Sequence, residues 1–310
     1  MKFREKIKPF LSNKCQIVLG LSGGPDSMVL FHLLRKVKIS FRALYIDHGW
    51  RNKSKEEAEQ LADLCEKLEV PFSVREVKGF DFAKGNIEDR LRNERWKFFK
   101  ESEADILILG HHLDDHIETV IKRLFEGAKL TKLGGIALES EVGTMRVVRP
   151  LLECHKSEII NWANSNQVHY FIDETNEDQH FLRARMRKRL IPQLEDSFGK
   201  GIGQNLNELS QVSSKLKLYL DRKTDPYLAQ FESKRVIPNL EEEIEMRHLF
   251  DRVANKLSIT FSREQVATLV TLGQKGESGK FVESKSFKCL YRAGSFRIEK
   301  KELSKNVPLC

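Results

Sequence analysis

One octapeptide, Gly20-Leu21-Ser22-Gly23-Gly24-Pro25-Asp26-Ser27, lies between two apolar runs at residues 15–19 and 28–34. The first run has the composition of a buried strand and the second has helical spacing, so the segment predicts a strand, a glycine-rich turn and a helix. Such a junction gathers backbone N–H groups at a helix N-terminus, which attracts phosphate. Ser22 and Ser27 add hydroxyl donors, and the glycines allow the backbone a close approach.

Asp26 distinguishes this loop from other phosphate-binding loops. A carboxylate repels a neighbouring phosphate unless a cation lies between them, so Asp26 is a candidate Mg²⁺ ligand. No lysine follows the last glycine, which excludes a Walker A loop. Glycine, proline, aspartate and serine are also ordinary turn residues. The octapeptide alone is therefore equally consistent with an ordinary tight turn and with a phosphate-binding loop.

The composition is that of a water-soluble globular protein with room for two domains. The chain has 310 residues and a net charge of +8, which is compatible with a polyanionic partner. No apolar run approaches the length of a membrane span and the N-terminus lacks a signal-peptide core, so we expect a cytoplasmic protein. Its five cysteines are scattered singly, which argues against a zinc site, an iron–sulfur cluster or a redox pair.

Four further strand-like runs alternate with helical segments, at residues 39–47, 71–77, 105–110 and 145–148. This alternation predicts an α/β fold with a doubly wound parallel sheet of the Rossmann-like kind. From about residue 203 the pattern changes. A long amphipathic helix is predicted at 206–220, followed by helices near 240–257 and 262–272 and by short strands at 281–282, 287–292 and 295–299. We expect a catalytic domain at 1–200, a helical linker at 201–224 and a smaller α+β C-terminal domain at 225–310.

Polar residues follow two of the predicted strands, where ligands bind in open α/β sheets. The second strand ends in Asp47-His48-Gly49-Trp50-Arg51, and the fourth in Gly110-His111-His112-Leu113-Asp114-Asp115-His116-Ile117-Glu118-Thr119. The side chains of His111, Asp115 and Glu118 suit a metal or an amine. His112 and His116 have the i, i+4 spacing of zinc ligands, but without the H-E-x-x-H glutamate the zinc signal is weak, and Mg²⁺ is preferred.

A basic cluster lies within a helix predicted from about residue 178 to residue 194. It contains five bases and no acid, namely Arg183, Arg185, Arg187, Lys188 and Arg189. A solvated helix face is the ordinary explanation of such charges. The absence of acids makes a phosphate-binding surface the better interpretation.

Seven blocks taken in order resemble the tRNA(Ile)-lysidine synthetase family of PP-loop ATP pyrophosphatases, over about residues 15–195. Two of them are the strand-end motifs given above. The others are Ser22 to Ser27, Asn86-Ile87-Glu88 with Arg92 and Arg95-Trp96, Arg149-Pro150-Leu151-Leu152, Asp173-Glu174-Thr175-Asn176, and Arg183-x-Arg185-x-Arg187 before Pro192. Trp50 and Trp96 depart from the leucine and tyrosine that are common in the family.

The resemblance implies a two-step reaction on the wobble cytidine of tRNA(Ile) with a CAU anticodon. The cytidine O2 attacks the α-phosphate of ATP, and the ε-amine of L-lysine then displaces AMP from C2. The lysidine that forms pairs with A rather than G, so the tRNA reads AUA instead of AUG. The implied cofactors are ATP and Mg²⁺, while monomer and homodimer both stay open.

The resemblance also implies the residue roles. The catalytic group is Asp26, Arg92, Asp115 and Glu118, with Asp26 as the metal ligand and Asp115 and Glu118 binding lysine. The tRNA-binding residues are Arg183, Arg185 and Arg187. The ATP-binding residues are Ser22, Gly23, Gly24, Pro25, Asp26, Ser27, His48, Gly110 and His111.

Two alternatives come from the same loop chemistry. One is another PP-loop enzyme that thiolates or amidates after adenylylation. Thiolases usually need cysteine pairs and amidotransferases need a glutaminase domain, and this sequence shows neither. The other alternative is a non-catalytic module that binds ATP and tRNA, and it predicts tRNA binding without AMP formation.

Overall fold

The computed structural model describes residues 15–49, 53–80, 87–172, 182–199 and 201–301. Several parts of the predicted motifs lie outside these ranges: Trp50, Arg51, Asn86, the turn at 173–176 and the start of the helix expected from residue 178. The side chain of Glu88 is also not described. The chain divides into two compact units, Met1–Gln211 and Val212–Cys310.

A six-stranded sheet forms the centre of the first unit, with strand order β3-β2-β1-β4-β6-β5. The strands are β1 (Ile17–Gly20), β2 (Arg42–Asp47), β3 (Phe72–Glu76), β4 (Ile106–Ile108), β5 (Glu139–Val142) and β6 (Met145–Val148). All neighbouring pairs except β5–β6 are parallel. This arrangement confirms the predicted doubly wound sheet.

Helices cover both faces of this sheet. They are α1 (Pro25–Lys36), α2 (Ser54–Lys67), α3 (Ile87–Glu101), α4 (Leu113–Phe125), α5 (Lys156–Ser165), α6 (Leu182–Arg185) and α7 (Ile191–Phe198), with a 3₁₀ turn at Leu130–Lys132 and a π turn at Met186–Leu190. Successive side chains of a strand point to opposite faces. Accordingly, Leu19 of β1 packs in a core with α1, α2 and α5, whereas Val18 packs with Phe99 of α3.

The strand order places a topological switch point between β1 and β4. The chain moves from β1 outward to β3, then returns to β4 on the other side of β1 and continues to β6. At such a point the connections leave a crevice beyond the carboxyl ends of the two strands. The glycine-rich loop, residues 20–27, and the junction at 110–113 both begin there.

The edge strand β5 was not expected from the sequence. Its residues, Glu139 to Val142, are mostly polar, and β5 pairs antiparallel with β6 through a tight turn at Gly143. Gly143 has φ +65°, which suits glycine in a two-residue hairpin turn. An exposed edge strand needs no apolar face, so it has no strong sequence pattern.

The second unit contains a four-stranded antiparallel sheet, ordered β7-β10-β9-β8, two helices that lie wholly within it, and the end of a longer helix at residues 212–234. Its elements are β7 (Val236–Pro238), α9 (Glu243–Leu257), α10 (Arg263–Lys275), β8 (Phe281–Glu283), β9 (Phe287–Arg292) and β10 (Ser295–Lys300), of which β7 was not predicted. Four fully buried phenylalanines lie in its core: Phe231, Phe250, Phe287 and Phe296. The α+β character of this region is therefore confirmed.

A single helix, α8 (Ile202–Lys234), runs through the segment predicted as a linker. The sequence predicted a helix only from residue 206 to residue 220, but α8 continues through Pro226. Residues beyond the proline, Leu228 and Phe231, bury their side chains in the core of the second unit, which outweighs the lost backbone hydrogen bond. None of the described helices combines the length and the apolar composition that crossing a bilayer requires.

Candidate active site

The glycine-rich loop is held by hydrogen bonds that converge on Ser27. Its hydroxyl donates to the carbonyl oxygen of Gly24 at 3.0 Å and accepts from the backbone N–H of Ser22 at 3.1 Å. Hydrogen bonding within α1 begins with Met28, so the N–H groups of Asp26 and Ser27 have no intrahelical partner. Ser22 is exposed, and Gly24 at the N-cap has no side chain that could cap the N–H groups of the first turn. The loop therefore presents the donors of a helix N-terminus to a ligand.

Gly23 gives the loop its sharp turn. Its φ is +76°, and its carbonyl oxygen accepts a hydrogen bond from the backbone N–H of Phe171 at 2.9 Å. A Cβ added here would lie 2.4 Å from Cδ2 of Phe171, so only glycine fits. The segment after α5 therefore packs directly on the loop.

Gly110 brings the second junction against the first. A Cβ at this position would lie 3.1 Å from Cβ of Asp26 and 3.2 Å from the backbone nitrogen of Ser27. The absence of a side chain allows the end of β4 to approach the first turn of α1. The side chains that follow Gly110 thereby reach the glycine-rich loop.

Asp26 already has a cationic partner in this structure. The ammonium of Lys156, at the start of α5, donates to both carboxylate oxygens at 2.6 and 2.7 Å. The backbone N–H of Lys156 donates to Asp114 Oδ2 at 2.7 Å, which fixes the start of α5 next to α4. The sequence singled out Asp26 but not Lys156, which lies 130 residues away along the chain.

His112 lies between the acids of the two junctions. Its Nε2 atom is 4.0 Å from Oδ1 of Asp26 and 3.4 Å from Oδ2 of Asp115, and its Nδ1 atom is 3.4 Å from Oδ2 of Asp114. Burial lowers the pKa of His112, but the neighbouring carboxylates of Asp114, Asp115 and Asp26 raise it more. The net pKa lies above the ordinary value, so the imidazolium form is favoured and links the carboxylates.

Asp115 and Glu118 share one face of α4 and both contact Arg187 from the π turn. The guanidinium donates through Nη2 to Asp115 Oδ1 at 3.0 Å and to Glu118 Oε2 at 3.1 Å, and through Nε to Glu118 Oε1. Arg183 approaches the same Asp115 oxygen at 3.9 Å. The predicted amine-binding acids are therefore adjacent, and a cation of this chain already lies on them.

The two acids have opposite pKa shifts. Burial raises the pKa of Asp115, but the charges of His112, His111, Arg183 and Arg187 lower it below its ordinary value overall. The Glu118 side chain is only 1% exposed. Its burial raises its pKa more than Arg187 lowers it. Asp115 is therefore the permanent anion, and Glu118 is the better proton acceptor of the pair.

His111 is half-buried and lies among cations. Burial lowers its pKa to about 3; Asp115 opposes this shift, and the charges of Arg149, Arg183 and Arg95 add to it. Its buried Nδ1 atom has no hydrogen-bond partner among the described residues. A neutral imidazole with an open nitrogen in a polar site suits contact with a ligand.

Arg149 is a buried cation for which no role was predicted from the sequence. It follows β6, and its Nη1 atom donates to the carbonyl oxygen of Ala137 at 2.9 Å and to Ser140 Oγ at 3.0 Å. Burial and the nearby charge of Arg92 lower its pKa to about 10. Arg92, predicted from α3, is therefore close to Arg149. Cations from two elements thus converge near His111, which makes this side of the site attractive to phosphate.

The zinc interpretation of His112 and His116 does not fit the structure. His116 Nε2 lies 2.7 Å from Ser210 Oγ, and that hydroxyl donates onward to the carbonyl oxygen of Asn207, so the imidazole is the donor. Its Nδ1 then accepts from the backbone N–H of Ile136 at 3.1 Å. Both nitrogens have structural partners, and no cluster of three metal-ligating side chains occurs in the described ranges.

The remaining predicted residues lie around this centre. His48 follows β2, the strand next to β1, and Gly49 donates its N–H to Asp47 Oδ1 at 2.8 Å. Arg185 lies at the exposed end of α6. The sequence missed Lys156, Arg149 and the link through His112. Arg149 and His112 had a signal, because both lie in the seven blocks, whereas Lys156 lies outside them.

Comparison with known proteins agrees with this geometry. A family model described as a PP-loop domain matches residues 1–194. A tRNA(Ile)-lysidine synthase of Chlamydia muridarum is 42% identical over 227 residues, which cover 71% of this chain and 70% of that protein. The same enzyme of Chlamydia trachomatis serovar L2 is 40% identical over 242 residues, covering 76% and 75%.

A solved structure supports the fold alone. The U34-tRNA thiolase NcsA from Methanococcus maripaludis matches with a TM-score of 0.55 and 19% identity, covering 69% of this chain and 78% of that one. The sequence identity to the curated relatives extends over more than two thirds of both chains. The chain thus contains a PP-loop domain and belongs to the tRNA(Ile)-lysidine synthase family.

Proposed function

We propose that this protein joins the ε-amine of L-lysine to C2 of the wobble cytidine of tRNA(Ile) with a CAU anticodon, and converts ATP to AMP and pyrophosphate. One observation carries the proposal. A buried pair of acids, Asp115 and Glu118, holds a cation within the same site as an open, phosphate-attracting helix N-terminus. The two features match the two substrates, an amine and a nucleotide, that this reaction brings together.

Adenylylation of the cytidine comes first, because the O2 oxygen leaves readily only as part of AMP. The backbone N–H groups of the glycine-rich loop bind the phosphates, and the cations near His111 stabilise charge on the α-phosphate and on departing pyrophosphate. We assign Arg149, which lies near His111, and its neighbour Arg92 to that role. The tRNA leaves this step as an adenylated intermediate.

Attack by lysine follows and requires a neutral amine, because an ammonium has no lone pair. Asp115, which stays ionised, holds the ammonium, and Glu118, whose pKa is raised, takes a proton from it. The amine enters the position that the Arg187 guanidinium occupies in this structure. Nitrogen then bonds to C2, the C2–O bond breaks and AMP departs.

The glycine-rich loop offers Mg²⁺ one carboxylate, that of Asp26. Mg²⁺ uses one or two protein carboxylates together with phosphate oxygens and waters. Asp26 is a carboxylate at the glycine-rich loop, with 24% of its side chain exposed. Asp26 would hold the ion, which would supply charge neutralisation to the polyphosphate. The other roles in the reaction are assigned to side chains and backbone N–H groups of the protein.

We assign tRNA binding to two basic surfaces. One comprises Arg183, Arg185 and Arg187 with their neighbour Arg189, and the other lies in the C-terminal region, 225–310, where Arg292 and Arg297 are exposed.

The salt dependence of tRNA binding tests both surfaces. Replacement of Arg185 and Arg189 by alanine is expected to reduce the steepness of the plot of log affinity against log salt concentration by roughly 0.7–0.9 for each lost phosphate contact. The pair Arg292→Ala and Arg297→Ala tests the second surface in the same assay. An unchanged slope removes that surface from the proposal. A tRNA substrate also implies a cytoplasmic location.

Labelled lysine tests the proposed function. The protein is incubated with ATP, Mg²⁺, labelled lysine and unmodified tRNA(Ile) with a CAU anticodon, and the label in the tRNA is counted. The matched control is the same tRNA with uridine at the wobble position. Its O2 lacks the electron donation of the cytosine 4-amino group, so this tRNA is expected to stay unlabelled. If the folded protein transfers no label to the tRNA with the CAU anticodon, the proposed function is contradicted.

The variant Glu118→Gln tests the assignment of the proton acceptor. Glutamine has the same shape but cannot take the proton from the amine. We expect adenylated tRNA to accumulate while lysidine formation falls by roughly 10²–10⁴-fold. Lysidine formation at the wild-type rate would show that another group accepts the proton.

A further inference from the structure

His116 is a buried histidine that the proposed reaction does not use. It lies on α4, directly after Asp115. Its Nε2 atom lies 2.7 Å from Ser210 Oγ in α8, and its Nδ1 atom lies 3.1 Å from the backbone nitrogen of Ile136. The ring therefore links α4 to two segments that are distant from it in the sequence.

The donors and acceptors around this ring are fixed by its surroundings. Ser210 Oγ donates to the carbonyl oxygen of Asn207 at 2.7 Å, so it accepts from Nε2–H. Burial lowers the pKa of His116, the hydrogen bond with Ile136 raises it and the charge of Arg123 lowers it again, with a net decrease. The neutral ring then has a lone pair on Nδ1, which accepts the N–H of Ile136. The carbonyl oxygen of Ile136, 3.0 Å from Nδ1, has no proton to offer it.

The segment at residues 132–137, which leads from the 3₁₀ turn towards β5, lies on this ring. Arg123 Nη1 donates to the carbonyl oxygens of Lys132 and Gly135 at 3.0 and 2.7 Å. Gly135 has φ +62°, and a Cβ there would lie 2.4 Å from Cε1 of His116, so the backbone packs directly on the imidazole. Two side chains of α4 therefore hold the segment at successive points.

The segment also contacts a cation of the active site. The carbonyl oxygen of Ala137, the residue after Ile136, accepts a hydrogen bond from Nη1 of Arg149 at 2.9 Å. Arg149 is buried near His111, and its Nε atom has no hydrogen-bond partner among the described residues. A buried donor without a partner requires a ligand or a water. The direction of this guanidinium therefore decides which oxygen its open nitrogen meets.

We propose that His116 is a positioning residue, which holds Ile136 so that the carbonyl oxygen of Ala137 directs the guanidinium of Arg149 into the site. The inference rests on the proposed function in that Arg149 stabilises the transferred phosphate. His116 touches no substrate, and its effect passes through two consecutive backbone residues. Loss of the imidazole leaves the N–H of Ile136 unpaired and releases the part of the segment beyond the Arg123 contacts.

Hydrogen–deuterium exchange of the full-length protein tests whether His116 holds the segment. We expect His116→Leu to speed exchange in peptides covering residues 132–138 roughly ten-fold, as for the loss of one buried hydrogen bond. Glutamine also has an acceptor and a donor on one planar group, so His116→Gln is expected to exchange like the wild type. Leu34→Ala truncates a buried side chain at the far end of α1 and controls for lost stability. It is expected to leave exchange of this segment unchanged.

The rate of adenylated tRNA formation tests the effect on the reaction. It is measured in single turnovers with saturating tRNA, ATP and Mg²⁺ but without lysine, at a temperature where every variant is folded. We expect His116→Leu to lower this rate roughly 10- to 100-fold, as for a displacement of about 1 Å, with little change in the half-saturating ATP concentration. His116→Gln and Leu34→Ala are expected to keep most of the rate. A merely structural role lowers the folded fraction and not the rate per folded molecule.

A double-mutant cycle connects the two side chains. In the Arg149→Met background the guanidinium is gone, so His116→Leu is expected to have little further effect on the rate. Rate losses that multiply in the double variant would overturn the inference. An unchanged rate in His116→Leu, or unchanged exchange of the segment, would overturn it as well.

The outcome is separable from that of the proposed function. A wild-type protein that adenylates tRNA, more slowly with His116→Leu, but transfers no lysine contradicts the proposed function and leaves the role of His116 intact. A wild-type protein that labels tRNA with lysine, with His116→Leu adenylating tRNA normally, contradicts only the role of His116. A wild-type protein that forms no adenylated tRNA contradicts both.

Discussion

At the scale of single residues, both acidic parts of the site are paired with cations of the chain. Lys156 lies on Asp26, and Arg187 lies on Glu118 and Asp115. The sequence identified the acids because motifs along one segment specify them. It did not identify their partners, because a contact between residues far apart in the chain has no local spacing. Arg187 was expected to bind tRNA, and its contacts now give it a second role at the acids.

Arg187→Met is expected to destabilise the free protein. Glu118 is buried, so loss of its partner costs about 2 kcal/mol after allowance for the exposure of Arg187, or roughly 4–8 °C in melting temperature. Added lysine supplies a new cation, so it is expected to raise the melting temperature more in this variant than in the wild type. Arg189→Met removes an exposed arginine of the same turn and serves as the control. Equal lysine-dependent shifts in all three proteins would contradict this account.

The neighbouring histidines His111 and His112 are expected to differ in charge near pH 6. Burial lowers the pKa of His111 to about 3, so its imidazole stays neutral, whereas the carboxylates around His112 raise its pKa above the ordinary value. Histidine NMR spectra recorded from pH 5 to 8 check this, with His111→Asn for assignment. Two parallel titrations near pH 6.5 would contradict the geometry.

The pH dependence of stability follows with opposite signs. The folded-state pKa of His111 is depressed, so below pH 6.5 the unfolded state binds a proton that the folded state does not. Through His111, the free energy of unfolding therefore decreases as the pH is lowered below 6.5. The folded-state pKa of His112 is raised, so its contribution is complete below pH 6.5 and is lost as the pH rises through that higher value.

At the scale of elements, the two strand-to-helix junctions were predictable and their contact was not. Apolar runs followed by glycine and polar residues indicate a strand, a turn and a helix, and the structure has β1 with α1 and β4 with α4 at those places. The close approach of Gly110 to Asp26 depends on which strands are neighbours in the sheet. The π turn that directs Arg187 to the acids likewise has no distinct sequence pattern, since i→i+5 bonding differs little from helical spacing.

Gly23→Ala tests whether the loop is locked by the segment after α5. The positive φ costs an alanine roughly 1–2 kcal/mol, and its Cβ meets the ring of Phe171. We expect a lower melting temperature and weaker ATP binding. In the Phe171→Ala background the steric part disappears, so Gly23→Ala is expected to cost less there. Equal losses in both backgrounds would mean that Phe171 does not hold the loop.

At the scale of the whole molecule, the sequence predicted the order of elements better than their extent. The doubly wound sheet and the α+β character of the C-terminal region were correct, because apolar periodicity is strong in buried strands and helices. Helix α8 extends further than expected, because burial of Leu228 and Phe231 overrides Pro226. The edge strands β5 and β7 were missed, because β5 is mostly polar and β7 has only three residues and includes a proline.

In the proposed reaction one site uses the energy of ATP to attach lysine to cytidine. Quantifying AMP, ADP and lysidine in a single reaction with ATP, Mg²⁺, lysine and tRNA(Ile) with a CAU anticodon tests this coupling. We expect AMP and lysidine to form in equal amounts, without ADP, and neither to form when the tRNA is omitted. Formation of ADP, or of AMP without lysidine while lysine is saturating, would contradict the proposed coupling.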